Sequence, residues 1–247
     1  MRYSQRMRTC CKIIKMSRAS RRRARRNRRA QIAVDPRRVD LHMHTDRSDG
    51  LLTLEQTVQG CISGRLDIVS ITDHDLPPAL PSGRIVRPEG EFHHIQGVEL
   101  TASFQDTEQH LLVYFPQEMP TDFKAFCTQR SVARAQRYNE MIDRLSIDGL
   151  DYADSNAIAG QRSLTRLHLA IDLVMKGHAM SINEAFSRWL KDLTLSERFP
   201  EMTDLIEKSK SAGGFCSWAH PDLKMAATHT KRLKSVGLDA LEALRPF

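Results

Sequence analysis

Seven of the histidine and acid side chains in this 247-residue chain, types that bind divalent cations, stand where a strand is expected to begin or end. His42 and His44 close the segment Val39 to His44, whose side chains alternate with period two as in a half-buried strand. Residues i and i+2 of a strand share a face, so two imidazoles placed this way can hold one ion. Asp49 follows just past a bend signalled by Asp49-Gly50. Asp73-His74-Asp75 ends a second apolar run, Leu66 to Ile71; Glu99 ends a strand expected over His94 to Leu100; His110 opens another over Gln109 to Phe115; His220 ends one over Phe215 to Ala219. In α/β barrels strand termini converge at one mouth, so His42, His44, Asp49, His74, Glu99, His110 and His220 are expected to gather there. Mixed imidazole and carboxylate ligands suit manganese, zinc or iron, and ions bridged by a carboxylate would activate water and offset charge on a phosphoryl group.

The elements that must position these groups are legible in outline. Thr53 with Gln56 fits a capping box opening a helix to Ser63, and Gly64 stops it. The spacing of Phe123, Phe126, Val132, Met141, Ile142 and Leu145 predicts a long helix over 121–146. Ser163 is expected to start another, Ser181 with Glu184 forms a second capping box, and a basic helix around Lys231 to Val236 precedes a last strand, Leu238 to Leu244. Strands alternating with helices predict an α/β fold with a largely parallel sheet or barrel. The almost wholly helical stretch at about 121–211 reads as an insertion in a domain spanning 39–247.

The net charge of +7 averages two unlike segments. Residues 1–38 hold 15 of the 37 Lys and Arg but one of the 30 acids, Asp35, giving +14, so the remainder carries −7. Such an Arg-rich tail is expected to be disordered and could grip nucleic-acid phosphates. The start has no apolar core of a secretory signal, and no apolar run of about 18 residues predicts a membrane span. Cys10, Cys11, Cys61, Cys127 and Cys216 are an odd count without framework spacing, which reads as reduced thiols in a cytoplasmic protein.

Asp40-Leu41-His42-Met43-His44-Thr45 with Ser48-Asp49-Gly50 resembles the opening motif of the polymerase-and-histidinol-phosphatase (PHP) family. Ile71-Thr72-Asp73-His74-Asp75, Gly97-Val98-Glu99-Leu100 and Ala219-His220-Pro221 resemble later ones, in order, over roughly 39–244. Within the family the chain is similar to the branch of nucleoside 3′,5′-bisphosphate phosphatases and 5′-to-3′ exoribonucleases, whose helical insertion is matched by Thr165-Arg166-Leu167-His168-Leu169-Ala170. The resemblance implies a distorted (β/α)7 barrel with two to three divalent metal ions: His42, His44 and Glu99 on one, Glu99, His110 and His220 on a second, Asp49 and His74 on a third. It implies Arg134, Arg166 and His168 as binders of substrate phosphate, a role for which the planar guanidinium fork is well shaped. The family's final Gly-Ser-Asp-x-His strand has no counterpart before Phe247, so a C-terminally truncated barrel lacking its last strands is expected. The implied activity is hydrolysis of a phosphate ester of a nucleotide or an RNA 5′ end; the alternative is an inactive PHP-like module with a nucleic-acid-binding tail.

Overall fold

A computed structural model describes residues 37–156, 158–193 and 199–243. The Arg-rich tail, but for its last two residues, and the end of the expected last strand lie outside the described residues. Strands β1 (Val39–Met43), β2 (Ile68–Ile71), β3 (Gly83–Arg87) and β4 (Gly90–His94) form one sheet in the order β1-β2-β4-β3. Strands β5 (Gln96–Phe104), β6 (Thr107–Phe115), β7 (Phe215–Ala219) and β8 (Ala240–Leu241) form a second, in chain order. The helices are α1 (Leu54–Ser63), α2 (Thr121–Leu145), α3 (Arg166–Met175), α4 (Ile182–Ala185, continuing as a π-turn Phe186–Leu190), α5 (Met202–Ser211) and α6 (Leu223–Val236).

The fold is α/β as expected, but the largely parallel barrel is not what forms. Pairs β1–β2, β2–β4 and β7–β8 are parallel, whereas β3–β4, β5–β6 and β6–β7 are antiparallel. Among the described residues β8 does not pair with β1, so the strands do not close into a ring. For β3–β4 and β5–β6 the cause is connection length. Parallel neighbours need a crossover of a dozen or more residues, and two-residue links can only send the chain back antiparallel. Gln105 and Asp106 make such a link, both left-handed at φ 52° and 58°, as a primed hairpin turn requires. Neither is the Asn-Gly or Asp-Gly pair that advertises this turn. The single strand expected over His94 to Leu100 is two, divided at Ile95.

One apolar core lies against the second sheet, where Val98, Leu100, Leu111, Val113 and Trp218 meet Phe123 and Cys127 of α2, Leu205 and Ile206 of α5 and Leu233 of α6. A separate cluster joins Tyr138, Met141 and Ile142 of α2 to Leu169 and Leu173 of α3 and to Leu190. Both ends of the helical stretch expected as an insertion, the start of α2 and all of α5, therefore pack into the sheet's own core. Cys61, Cys127 and Cys216 are buried free thiols.

The two sheets are joined where β2 runs on into Thr72–Asp75. There Glu99 N–H donates to Thr72 O at 3.1 Å, Asp75 N–H donates to Glu99 O at 2.9 Å, and His74 bridges to Glu99. Close approach of β5 to β2 depends on Gly97, where a Cβ would lie 2.4 Å from Ser70 Oγ and 2.9 Å from Thr72 Cγ2. Gly97→Val should overpack this junction and lower unfolding free energy by about 1–3 kcal/mol in urea denaturation. Unchanged stability would mean the sheets are held together elsewhere.

Candidate metal centre

His42 sits on the last turn of pleat in β1 and His44 just beyond it, and both face inward as their spacing requires. The following loop is held by Asp73, a buried carboxylate that accepts from Thr45 N–H at 2.7 Å, Thr45 Oγ1 at 2.8 Å and Ser48 Oγ at 2.8 Å. Asp73 is thus a clamp on the loop that carries Asp49. Gly50 is required there because a Cβ would lie 2.3 Å from His44 O. The Asp73-His74-Asp75 run divides its labour: Asp75, fully buried, accepts from Thr101 N–H at 3.1 Å and from Arg134 Nε at 2.6 Å.

Glu99 stands at the sheet junction, 1% exposed, with imidazoles on both of its oxygens. His44 Nε2 is 2.9 Å, His42 Nε2 3.1 Å and His74 Nδ1 3.4 Å from Oε2. His110 Nδ1 is 3.0 Å and His220 Nε2 3.1 Å from Oε1. Asp49 lies on the far side of two of these rings, 3.4 Å from His44 Nδ1 and 3.2 Å from His74 Nε2. All seven sequence-expected ligands therefore line one cavity, of about 660 Å³. The tightest donor triads are His42/Glu99/His220 and His44/His74/Glu99, a different partition of the same ligands from that implied by the resemblance.

These contacts fit cations better than they fit hydrogen bonds. Ligand atoms about 2.0–2.2 Å from a shared ion are roughly 3.0–3.5 Å from one another, and His42 Nε2 to His44 Nε2 is 3.1 Å while His110 Nδ1 to His220 Nε2 is 3.3 Å. His74 Nδ1 and His110 Nε2 are buried and have no hydrogen-bond partner. Burial opposes the charged form of His42, but hydrogen bonds to Glu242 and Glu99 outweigh it and carry its pKa up to about 10. Burial likewise opposes charge on His110, and the Glu99 carboxylate outweighs it, raising that pKa to about 9. Burial works against ionised Glu99, yet the surrounding imidazoles hold it well below the ordinary carboxylate range. The pocket is a well of negative potential that protons or divalent ions can fill, so the two compete.

The proposed phosphate binders fare differently. Arg166, in the first turn of α3, lines an adjoining cavity of about 150 Å³ and lies 3.7 Å from Glu108. Arg134 lines the same cavity but is 2% exposed, with Nε on Asp75, Nη1 on Leu164 O at 3.1 Å and Nη2 on Thr101 Oγ1. His168 lines neither cavity. Its Nδ1 accepts from Thr165 N–H at 3.0 Å and closes a capping box on α3, and burial pushes its pKa down. The helix accordingly starts at Thr165 rather than at Ser163.

Two acids were missed by sequence reasoning. Glu108 lies two residues before His110 on β6, 3.5 Å from His110 Nε2, and accepts from Arg137 at 2.8 Å. Glu242 accepts from His42 Nδ1 at 2.9 Å and from His220 N–H at 2.8 Å. Both carried the signal that flagged Glu99, a lone acid beside a strand end.

The fold and site define a metal-dependent hydrolase of phosphoric esters. No protein-family model matches the chain. The 5′-3′ exoribonuclease Rnm of Salmonella typhimurium is 30% identical over 203 residues, 78% of this chain and 69% of that protein. A 3′,5′-nucleoside bisphosphate phosphatase of Chromobacterium violaceum is 23% identical over 189 residues, 74% of this chain and 66% of that protein. The crystal structure of a protein described as a metal-dependent phosphoesterase from Bifidobacterium adolescentis superposes with a TM-score of 0.63 at 24% identity, covering 83% of this chain and 77% of that one. The chain belongs to the PHP family.

With an ion taking the place of the proton on His42 Nε2, Glu242 would accept the proton left on Nδ1, the arrangement by which an outer carboxylate orients a metal-binding imidazole. Glu242→Gln should weaken manganese binding about 10- to 100-fold in calorimetric titration of the metal-free protein. Affinity equal to wild type would show that His42 needs no such support.

Proposed function

We propose that the chain hydrolyses a phosphate ester of a nucleotide or of an RNA 5′ end, with divalent cations held at Glu99. The observation carrying this reading is that the two cavities share Asp49, His74 and His110, so Arg166 lies in a cavity directly beside the ligand cluster. His42, His44, His74, His110 and His220 would hold the ions with Glu99 and Asp49. Divalent ions there lower the pKa of water and offset charge on a phosphoryl oxygen.

The chain's own residues supply binding and orientation. Arg166 is part-exposed and only loosely engaged by Glu108, so its guanidinium can turn to a phosphate oxygen. Arg134 is committed to Asp75, Leu164 and Thr101, and its part is to fix the wall of the cavity and add fixed positive charge to it. His168, with Nδ1 tied to Thr165, would steady the start of α3 and so the placing of Arg166. The names of the exoribonuclease and bisphosphate phosphatase relatives point to nucleotide or RNA substrates, and no helix among the described residues is long and apolar enough to cross a membrane.

Phosphate release from adenosine 3′,5′-bisphosphate and nucleotide release from a 5′-phosphorylated RNA should each stop in EDTA and return with manganese. Glu99→Gln should cost about a thousandfold in kcat/KM, the several kcal/mol that charge stabilisation by the ions supplies. Arg166→Ala should raise KM roughly 10- to 100-fold, the worth of a charge-assisted hydrogen bond. Turnover that survives both EDTA and Glu99→Gln would overturn the reading.

A further inference from the structure

Helix α6 carries a run of uncompensated charge. Lys224, Lys231, Arg232 and Lys234 are all exposed, and no acidic residue occurs from Leu223 to Leu238. None of the four cations has an ion-pair partner among the described residues. Several surface cations on other helices do, Arg144 with Glu140 at 3.1 Å, Arg188 with Glu184 at 3.4 Å and Lys124 with Glu118 at 3.2 Å, and Lys208 lies over the Phe126 ring. Because residues 39–247 carry a net negative charge, this stripe runs against its background. Lys231 and Lys234, three apart on one helix, repel each other, a cost that only the nearby helix C-terminus offsets.

The helix also starts at the site. His220 lines the metal cavity, Pro221 follows, and Asp222 caps α6 by accepting from Lys224 N–H at 2.9 Å. Met225 in the first turn contacts Gln109, the neighbour of His110. Leu233 anchors the inner face in the core, leaving the cations outward. At 1.5 Å per residue, Lys231, Arg232 and Lys234 stand roughly 12–17 Å along the axis from Leu223. A mononucleotide held at Glu99 does not extend that far, and a chain of several nucleotides does.

We propose that the exposed cationic face of α6 binds the phosphodiester backbone of a single-stranded RNA whose 5′ end occupies the Glu99 cavity. This rests on the reading of the site as one that takes a nucleotide or RNA phosphate. An RNA backbone is favoured over an anionic lipid surface because the one large apolar side chain α6 exposes, Leu223, stands in its first turn, two turns or more from Lys231, Arg232 and Lys234, so no apolar stripe lies beside those cations. Phosphates on the helix would moreover belong to the same molecule as the phosphate in the cavity. The helix thereby supplies affinity that grows with RNA length and is independent of base sequence.

The test uses the full chain carrying Lys231→Gln, Arg232→Gln and Lys234→Gln, which spares the first turn and substitutes residues of similar helix propensity. Anisotropy of a labelled ten-nucleotide single-stranded RNA is followed in EDTA, where no turnover occurs, as sodium chloride is varied. The slope of log affinity against log salt should fall by about 2, since each single-strand phosphate contact is worth roughly 0.7. The Arg-rich tail contributes to both proteins alike, so the difference belongs to the helix. With manganese, KM for a 5′-phosphorylated ten-nucleotide RNA should rise about tenfold or more, and KM for adenosine 3′,5′-bisphosphate should stay within about twofold. An unchanged salt slope at an unchanged melting temperature would overturn the proposal. So would unchanged RNA binding accompanied by lost binding to phosphatidylserine vesicles, which would assign the face to a membrane surface. A wild-type protein that hydrolyses neither substrate would instead sink the reading of the site, while the salt slope in EDTA still decides the role of α6.

Discussion

Five imidazoles around one buried carboxylate is an arrangement that holds only while protons or divalent ions bring positive charge to it. An ionised Glu99 offers acceptors only, so each imidazole beside it must bring a proton or a cation, and two ring nitrogens aimed at the same oxygen stand 3.1 Å apart. Burying such a group without compensation costs several kcal/mol. The rest of the structure is organised to keep it in place. The β2–β5 junction carries Glu99 and His74, Asp73 clamps the loop bearing Asp49, and Glu242 ties His42 to the backbone of His220, whose φ of 29° is unusual for a residue with a side chain.

What could be read from the sequence follows from range. The seven candidate ligand positions were legible because His and acid residues recurring at several strand ends form a joint pattern, and one cavity is lined by all seven. The mouth-like gathering of strand termini was legible in consequence. The sheet topology was not, since it turned on Gln105-Asp106, a link of left-handed residues that turn chemistry does not favour, and on the hairpin of β3 and β4. Arg130, Arg134 and Arg137 form a buried charged stripe on α2, and only tertiary partners such as Asp75 and Glu108 make that burial tolerable. An amphipathic pattern cannot reveal such partners. The cap made by His168 is also a local pattern, since a histidine three residues after a threonine can close a helix N-terminus, and here it does.

Charge is partitioned across the molecule in a way that suits a polyanionic substrate. Negative potential is concentrated in a narrow well at Glu99, where cations would reverse it. Positive side chains stand around that well rather than in it: Arg166 in the adjoining cavity and the unpaired cations of α6 beyond His220. A phosphate attracted by these groups would meet bound metal rather than bare carboxylates.

Diffraction from crystals grown with manganese, recorded at a wavelength where the metal scatters anomalously, would examine the centre most directly. The expected result is anomalous density against both oxygens of Glu99, about 2.0–2.2 Å from the nearest of the five imidazoles. Density only at distant surface acids, with Glu99 still in contact with protein atoms alone, would contradict the metal-centred reading.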